Sequence, residues 1–315
     1  MLLTTFEALV DLPRFTLGRV LTDWSLEPFP FVITVWVVGL YLYAVSVLRR
    51  RGDRWPAGRT VAFCLGGMGV FWFATSSGLA AYDTTLLSVH MVQHMLLSMV
   101  VPLLLALGAP ITLALRTLAP RPRGVLLSVL HSRVAKVVSF PPLTFGLYVV
   151  SPWALYFSGW YEASLRSAYV HEMMHVHLVL VGTLFFWPLV GVDPLPGRVG
   201  YPFRVLLTVM TLPFHAFLGV TIMGQESLLG GDWYPSLHDG PMGAWLPDPL
   251  DDQHLAGGLL WGSGDLIGLA FFVVLFVQWV RSSMREAVRE DRRLDLLEAR
   301  AARRPVPPTE PGPDR

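Results

Sequence analysis

The chain has 315 residues, 53% of them hydrophobic and only 15% charged, with a formal net charge of +1 at pH 7. A mean hydropathy of +0.51 excludes an ordinary soluble domain and points to an integral membrane protein. The charge balance gives no footprint for nucleic acid, and a single cysteine, Cys64, excludes an internal disulfide or a CxxC metal site.

The opening "MLLTTFEALVDLPRF" lacks the basic start and apolar run of a secretory signal, so residues 1–29 read as an outer N-terminal segment. A bilayer core takes about 20 apolar residues in helical form. Seven stretches reach that length, at about 30–48, 60–80, 88–108, 137–157, 169–191, 203–223 and 255–280. The expected fold class is all-α, a seven-helix transmembrane domain over 30–280 with no internal repeat. Pro141 and Pro142 fall in the fourth stretch and Pro213 in the sixth, where neighbouring helices can satisfy the freed backbone groups. Residues 281–315 are expected outside the bilayer. "RSSMREAVREDRRLDLLEARAARR" reads as a solvated basic helix with a weak preference for anionic lipid, and "PVPPTEPGPD" as a disordered end.

Of the 24 Lys and Arg residues, 21 fall in segments 49–59, 109–136, 192–204 and the tail from 281; Arg14, Arg19 and Arg166 are the remainder. Positive charge stays cytoplasmic. The N-terminus is therefore expected outside, the C-terminus inside, and the protein in the plasma membrane.

In that orientation eight of the nine histidines lie in the outer half of the bilayer or beyond it, and only His131 is cytoplasmic. His90 and His94 open the third stretch; His171 and His175 open the fifth. Each pair is spaced i, i+4, so both rings share one helical face and can chelate one metal. His215, about twelve residues into the sixth stretch, has climbed roughly 18 Å from the cytoplasmic side. Met91 and Met95 run beside the first pair; thioether next to imidazole suits Cu(I), although methionine is also a common apolar filler. His177 points roughly 120° away from His171, and His238 is expected to be solvated. The last stretch, "DPLDDQHLAGGLLWGSGD", places His254, Gly258, Trp261 and Asp265 on one face, with Asp252 and Gln253 at its outer mouth. An intramembrane carboxylate such as Asp265 pairs with a cation, lines a wet cavity or makes a structural hydrogen bond, and the glycines permit close approach of another helix.

The ordered set "HMVQHMLL" with "GAP", "HEMMH" with "WPLVG", "PFHAFLGV" and "DQHLAGGLLW" resembles the CtaG family of assembly factors for caa-type cytochrome c oxidases, over about residues 31–280. The resemblance implies a non-enzymatic bacterial membrane protein of the respiratory chain. It would help insert copper into a haem–copper oxidase, with a membrane-embedded oxidase subunit as partner. Its histidine positions map to His90, His94, His171, His175 and His215, with Asp252 and Gln253 at the last span. Leu260 stands where the family often carries methionine, which removes one soft donor.

Two other functions fit the same residues. His171, Glu172 and His175 form a literal HExxH, the zinc-protease pattern in which glutamate activates water; an aspartate from the outer loop or the last span would be the third ligand. Histidines facing each other across a bundle can also ligate haem, for binding or transfer.

Overall fold

The computed structural model of the chain describes residues 12–196 and 199–302. Arg198, the first eleven residues and the Pro-rich end lie outside the described residues. The regular structure among the described residues is helical, without a strand. Six helices are long and apolar enough to cross a bilayer: α1 (Pro28–Arg50), α2 (Ala57–Tyr82), α3 (Leu87–Thr117), α5 (Ala168–Val190), α6 (Tyr201–Met223) and α7, the helix Pro249–Ala302. The expected fourth span is a 16-residue helix, α4 (Pro141–Tyr156). At about 1.5 Å per residue it is roughly 24 Å long, short of the roughly 30 Å hydrocarbon core. It packs between α5 and α6 all the same.

The spans are not uniform. α2 and α3 each contain a π-helical segment, Ala62–Met68 and Leu96–Val100, a departure that often marks a functional site. α3 turns again at Ala109, whose left-handed φ of 50° leads into Pro110–Thr117. The last span and the basic tail, read from sequence as separate helices, form one unbroken 54-residue rod. Nothing in "VQWVRSSMREA" breaks a helix, because it lacks both glycine and proline.

At one end of the bundle Arg51 donates to the carbonyls of Arg116 and Thr117, both at 3.1 Å, and Arg116 pairs with Asp53 at 3.4 Å. At the other end the Ser25 amide donates to the Ser76 carbonyl at 2.9 Å, joining the segment before α1 to the bend at Ser77 within α2. The α2–α3 connection, the start of α5 and the start of α7 share this second end. α3 packs against both α5 and α7, and α6 packs chiefly along α7. Gly182 lets α5 cross α3 closely: a Cβ there would meet the Ser98 carbonyl oxygen.

Candidate metal centre

The α2–α3 connection "YDTTL" carries Asp83, the sole Asp, Glu, Lys or Arg between Arg59 and Arg116. It is 2% exposed. Its Oδ2 accepts from His171 Nε2 at 2.9 Å and lies 3.7 Å from His175 Nε2. Burial opposes ionisation of this carboxyl; the charge and hydrogen bond of His171 outweigh that and hold its pKa below the ordinary aspartate value. Ligand atoms of Asp83, His171 and His175 all lie within 4.8 Å of one another, the one such group of three among the described residues.

The tautomers follow from the partners. The Gln93 amide nitrogen donates to the Ala74 carbonyl at 2.9 Å, so its oxygen faces His175 Nε2, which donates to it at 3.1 Å. His175 Nδ1 then carries the lone pair. It is buried without a hydrogen-bond partner, as is Nδ1 of His90, whereas the His171 ring also meets the Ser164 carbonyl. An orphaned imidazole nitrogen on His175, beside a buried carboxylate, needs an explanation, and a metal ion supplies one. One carboxylate and two imidazoles suit a first-row divalent ion; the carboxylate is a harder donor than the thioethers expected from the sequence. Glu172 Oε2 stands 3.8 Å from His175 Nδ1, beyond hydrogen-bond range, and is partly exposed. Glu27 is half-buried near this mouth, and its pKa is raised by burial and then by the charges of Glu172 and Asp83, so the approach to the cluster is acidic.

His90 and His94 form the adjoining layer. The Tyr156 hydroxyl lies 3.1 Å from His90 Nε2 and 2.7 Å from His94 Nδ1. It has one proton, so it donates to one ring and accepts from the other. The His90 ring is 6.5 Å from that of His171 and 5.0 Å from that of Tyr161. Tyr161 bonds Tyr234 of the 224–248 connection at 2.6 Å, and Trp233 Nε1 donates to the Thr84 carbonyl at 2.8 Å. The connection is thereby tied over the cluster.

The other sequence candidates divide. His215 stands apart from the triad, on the far side of His94, with Nδ1 donating to the Thr211 carbonyl at 3.2 Å. Met91 and Met95 are fully buried; the Met95 methyl packs beside the His215 ring at Gly264. Asp252 accepts from the Ser88 hydroxyl at 2.5 Å and the Ser88 amide at 3.2 Å, which fastens α7 to the start of α3. Gln253 accepts from the Leu229 amide at 2.8 Å and donates to the Ser227 carbonyl at 3.1 Å. His254 is half-buried beside them on α7. Asp265 accepts from Trp261 Nε1 at 2.8 Å, and its Oδ1 is buried without a partner. His177 bonds Ser151, His131 is exposed, and His238 belongs to the 224–248 connection. Sequence reasoning passed over Asp83, Gln93, Tyr156 and Tyr161. Only Asp83 carried a signal, as a lone charge between two apolar runs.

These features define a multi-pass helical membrane protein with a buried carboxylate–imidazole cluster at one end of its bundle. Residues 39–282 match the family model described as cytochrome c oxidase caa3 assembly factor, Caa3_CtaG, and the chain belongs to that family, as the motifs suggested. It is 40% identical over 287 residues to uncharacterized proteins of Mycobacterium bovis and Mycobacterium tuberculosis, covering 89% of this chain and 43% of each relative. It is 37% identical over 304 residues to an uncharacterized protein of Mycobacterium leprae, covering 90% of this chain and 45% of that one. The chain thus spans less than half the length of these curated relatives. No solved structure matches it.

Proposed function

We propose that this chain is a non-enzymatic assembly factor that holds copper at Asp83, His171 and His175 on the outer face of the plasma membrane, for insertion into a membrane-embedded subunit of a haem–copper oxidase. The observation that carries this is the buried Asp83–His171–His175 group with its orphaned His175 nitrogen. Family membership supplies the oxidase. Bound copper would be the cargo. Asp83 would offset part of its charge, the two imidazoles would ligate it, and Gln93 would orient His175. The acidic mouth at Glu27 and Glu172 favours a cation's approach.

The outward orientation rests on the positive-inside distribution of arginine. The 225–248 connection carries no Lys or Arg, and Ser236 is exposed within it. A Ser236→Cys protein should react with a membrane-impermeant thiol reagent on intact cells. Labelling only after lysis would put the cluster on the cytoplasmic side.

Zinc hydrolysis is the second reading, favoured by the same three ligands with Glu172 one residue from His171; haem transfer is the third. One experiment separates them: remove the gene, purify the oxidase, and measure copper and haem together. Copper per oxidase should fall while haem is retained. Glu172→Gln should restore copper, and His171→Ala should not. Normal copper with missing haem would favour haem handling. A Glu172 requirement accompanied by cleavage of a membrane substrate would favour hydrolysis.

A further inference from the structure

The connection between α3 and α4 folds as two short helices, Pro120–His131 and Arg133–Val138. Ser132 joins them, its Oγ accepting from the Ala135 amide at 3.0 Å. Leu130 is buried, but Val125, Val129, Val134, Val137 and Phe140 are each more than half exposed. Val125 and Val129 are spaced i, i+4, and Val134 and Val137 i, i+3, so each pair shares one helical face. Arg133 and Lys136 lie about 100° and 160° round the second helix from Val134. The charged residues of the 118–140 segment are Arg121, Arg123, Arg133 and Lys136, all cationic. From Thr84 to Tyr161 the chain has no Asp or Glu. The ion pairs among the described residues include none of these four cations. The length of α4 is a second, independent observation. It falls about 6 Å short of the hydrocarbon core, so the bilayer must thin there or take in the residues that precede the helix. Those residues are Val134, Val137 and Phe140.

We propose that residues 118–140 form an interfacial element, seated in the leaflet at this end of the bundle, whose partner is anionic phospholipid. The valines and Phe140 enter the acyl boundary, and the four cations reach the headgroup phosphates. Short helices with an apolar face, flanking cations and no acid have the pattern of helices that lie in the membrane plane. Cations at the membrane surface draw anionic lipid. A water-facing loop would account for the cations but would leave the apolar side chains in water. The basic tail of α7 is built differently: Glu286, Glu290 and Asp291 stand among its arginines, and Arg293 pairs with Glu290 at 3.4 Å. Seated in this way, the element makes up the missing length of α4, the helix whose other end holds Tyr156 against His90 and His94. The inference goes beyond the metal reading and does not depend on it, nor on which leaflet faces the cytoplasm.

The test is spin-label accessibility of the full chain in lipid nanodiscs. Single nitroxides are placed at Val125→Cys, Val134→Cys and His131→Cys in a Cys64→Ser background. His131 is exposed and lies about 120° round its helix from Val125. All three labels sit at exposed positions, so folding is not at stake. In discs of phosphatidylcholine with phosphatidylglycerol, the two valine positions should collide with oxygen and be shielded from a water-soluble nickel chelate. The His131 position should show the reverse. In phosphatidylcholine alone, nickel access at Val125 and Val134 should rise severalfold. Arg121→Gln, Arg123→Gln, Arg133→Gln and Lys136→Gln combined should give the same rise in the mixed discs. Nickel access at all three positions in both lipids would make the segment a water-facing surface and overturn the proposal. Shielding from both reagents, with spin–spin broadening between copies, would assign the face to a second copy and overturn it as well. Oxygen contact that is the same in both lipids would overturn the choice of anionic phospholipid.

Discussion

Asp83→Asn should lower the affinity of the outer cluster for a divalent metal by about 100-fold or more. Losing an outer-shell partner of a metal ligand typically costs about 10- to 100-fold, and Asp83 is both a prospective ligand and the partner of His171. Its ligand oxygen sits with the two imidazoles inside a 4.8 Å group, in a pocket where Asp83 is 2% exposed. An ion's charge there is countered by this carboxylate and weakly screened by water. Asparagine keeps the size and one acceptor oxygen, so the bundle should remain folded, with a thermal midpoint near that of wild type. Bound metal, measured after equilibration with a competing chelator, gives the readout. Unchanged affinity in a folded protein would take Asp83 out of the ligand set.

Gly182→Val should be the most damaging single change to the fold, at about 3 kcal/mol or more, the upper range for overpacking. A Cβ at Gly182 would collide with the Ser98 carbonyl oxygen and stand 2.7 Å from Pro102 Cγ. A main-chain carbonyl cannot rotate aside as a long side chain can, so α5 would have to leave α3. His175 would then leave Gln93, and His171 would leave the His90 layer. Gly146 in α4 is the control, because a Cβ there meets nothing within 4 Å. Gly146→Ala should be neutral or stabilising by about 0.5–1 kcal/mol through lower chain entropy. Thermal unfolding in detergent compares the two, and equal midpoints would show that the α3–α5 crossing is not tight.

The helices were largely legible because bilayer length and apolar composition leave few alternatives. Positions of the paired histidines were legible because i, i+4 spacing fixes a shared face whatever the tertiary fold. What joins the pairs was not. Asp83 lies in a connection, with no periodicity to betray which way it points. Tyr156 and Tyr161 read as ordinary aromatic residues until the α4 end brings them to His90. The five histidines that share one half of the bilayer divide into an outer layer and a separate His215, because depth says how far a residue lies along the bundle and nothing about which helices are neighbours. Asp252 and Gln253 were marked by the family resemblance. Their bonds to Ser88 and Leu229 show what they do in this fold: they lash α7 and the 224–248 connection to the roof of the cluster.

The unbroken α7 also acts as a spacer. From residue 281 to 302 it runs on for 22 residues, roughly 33 Å at helical rise, well past the apolar part of the rod. The end of the helix at residue 302 therefore stands that far from its apolar part. A helix holds that separation where a Gly/Ser-rich coil of the same length would average only about 25 Å and fluctuate widely.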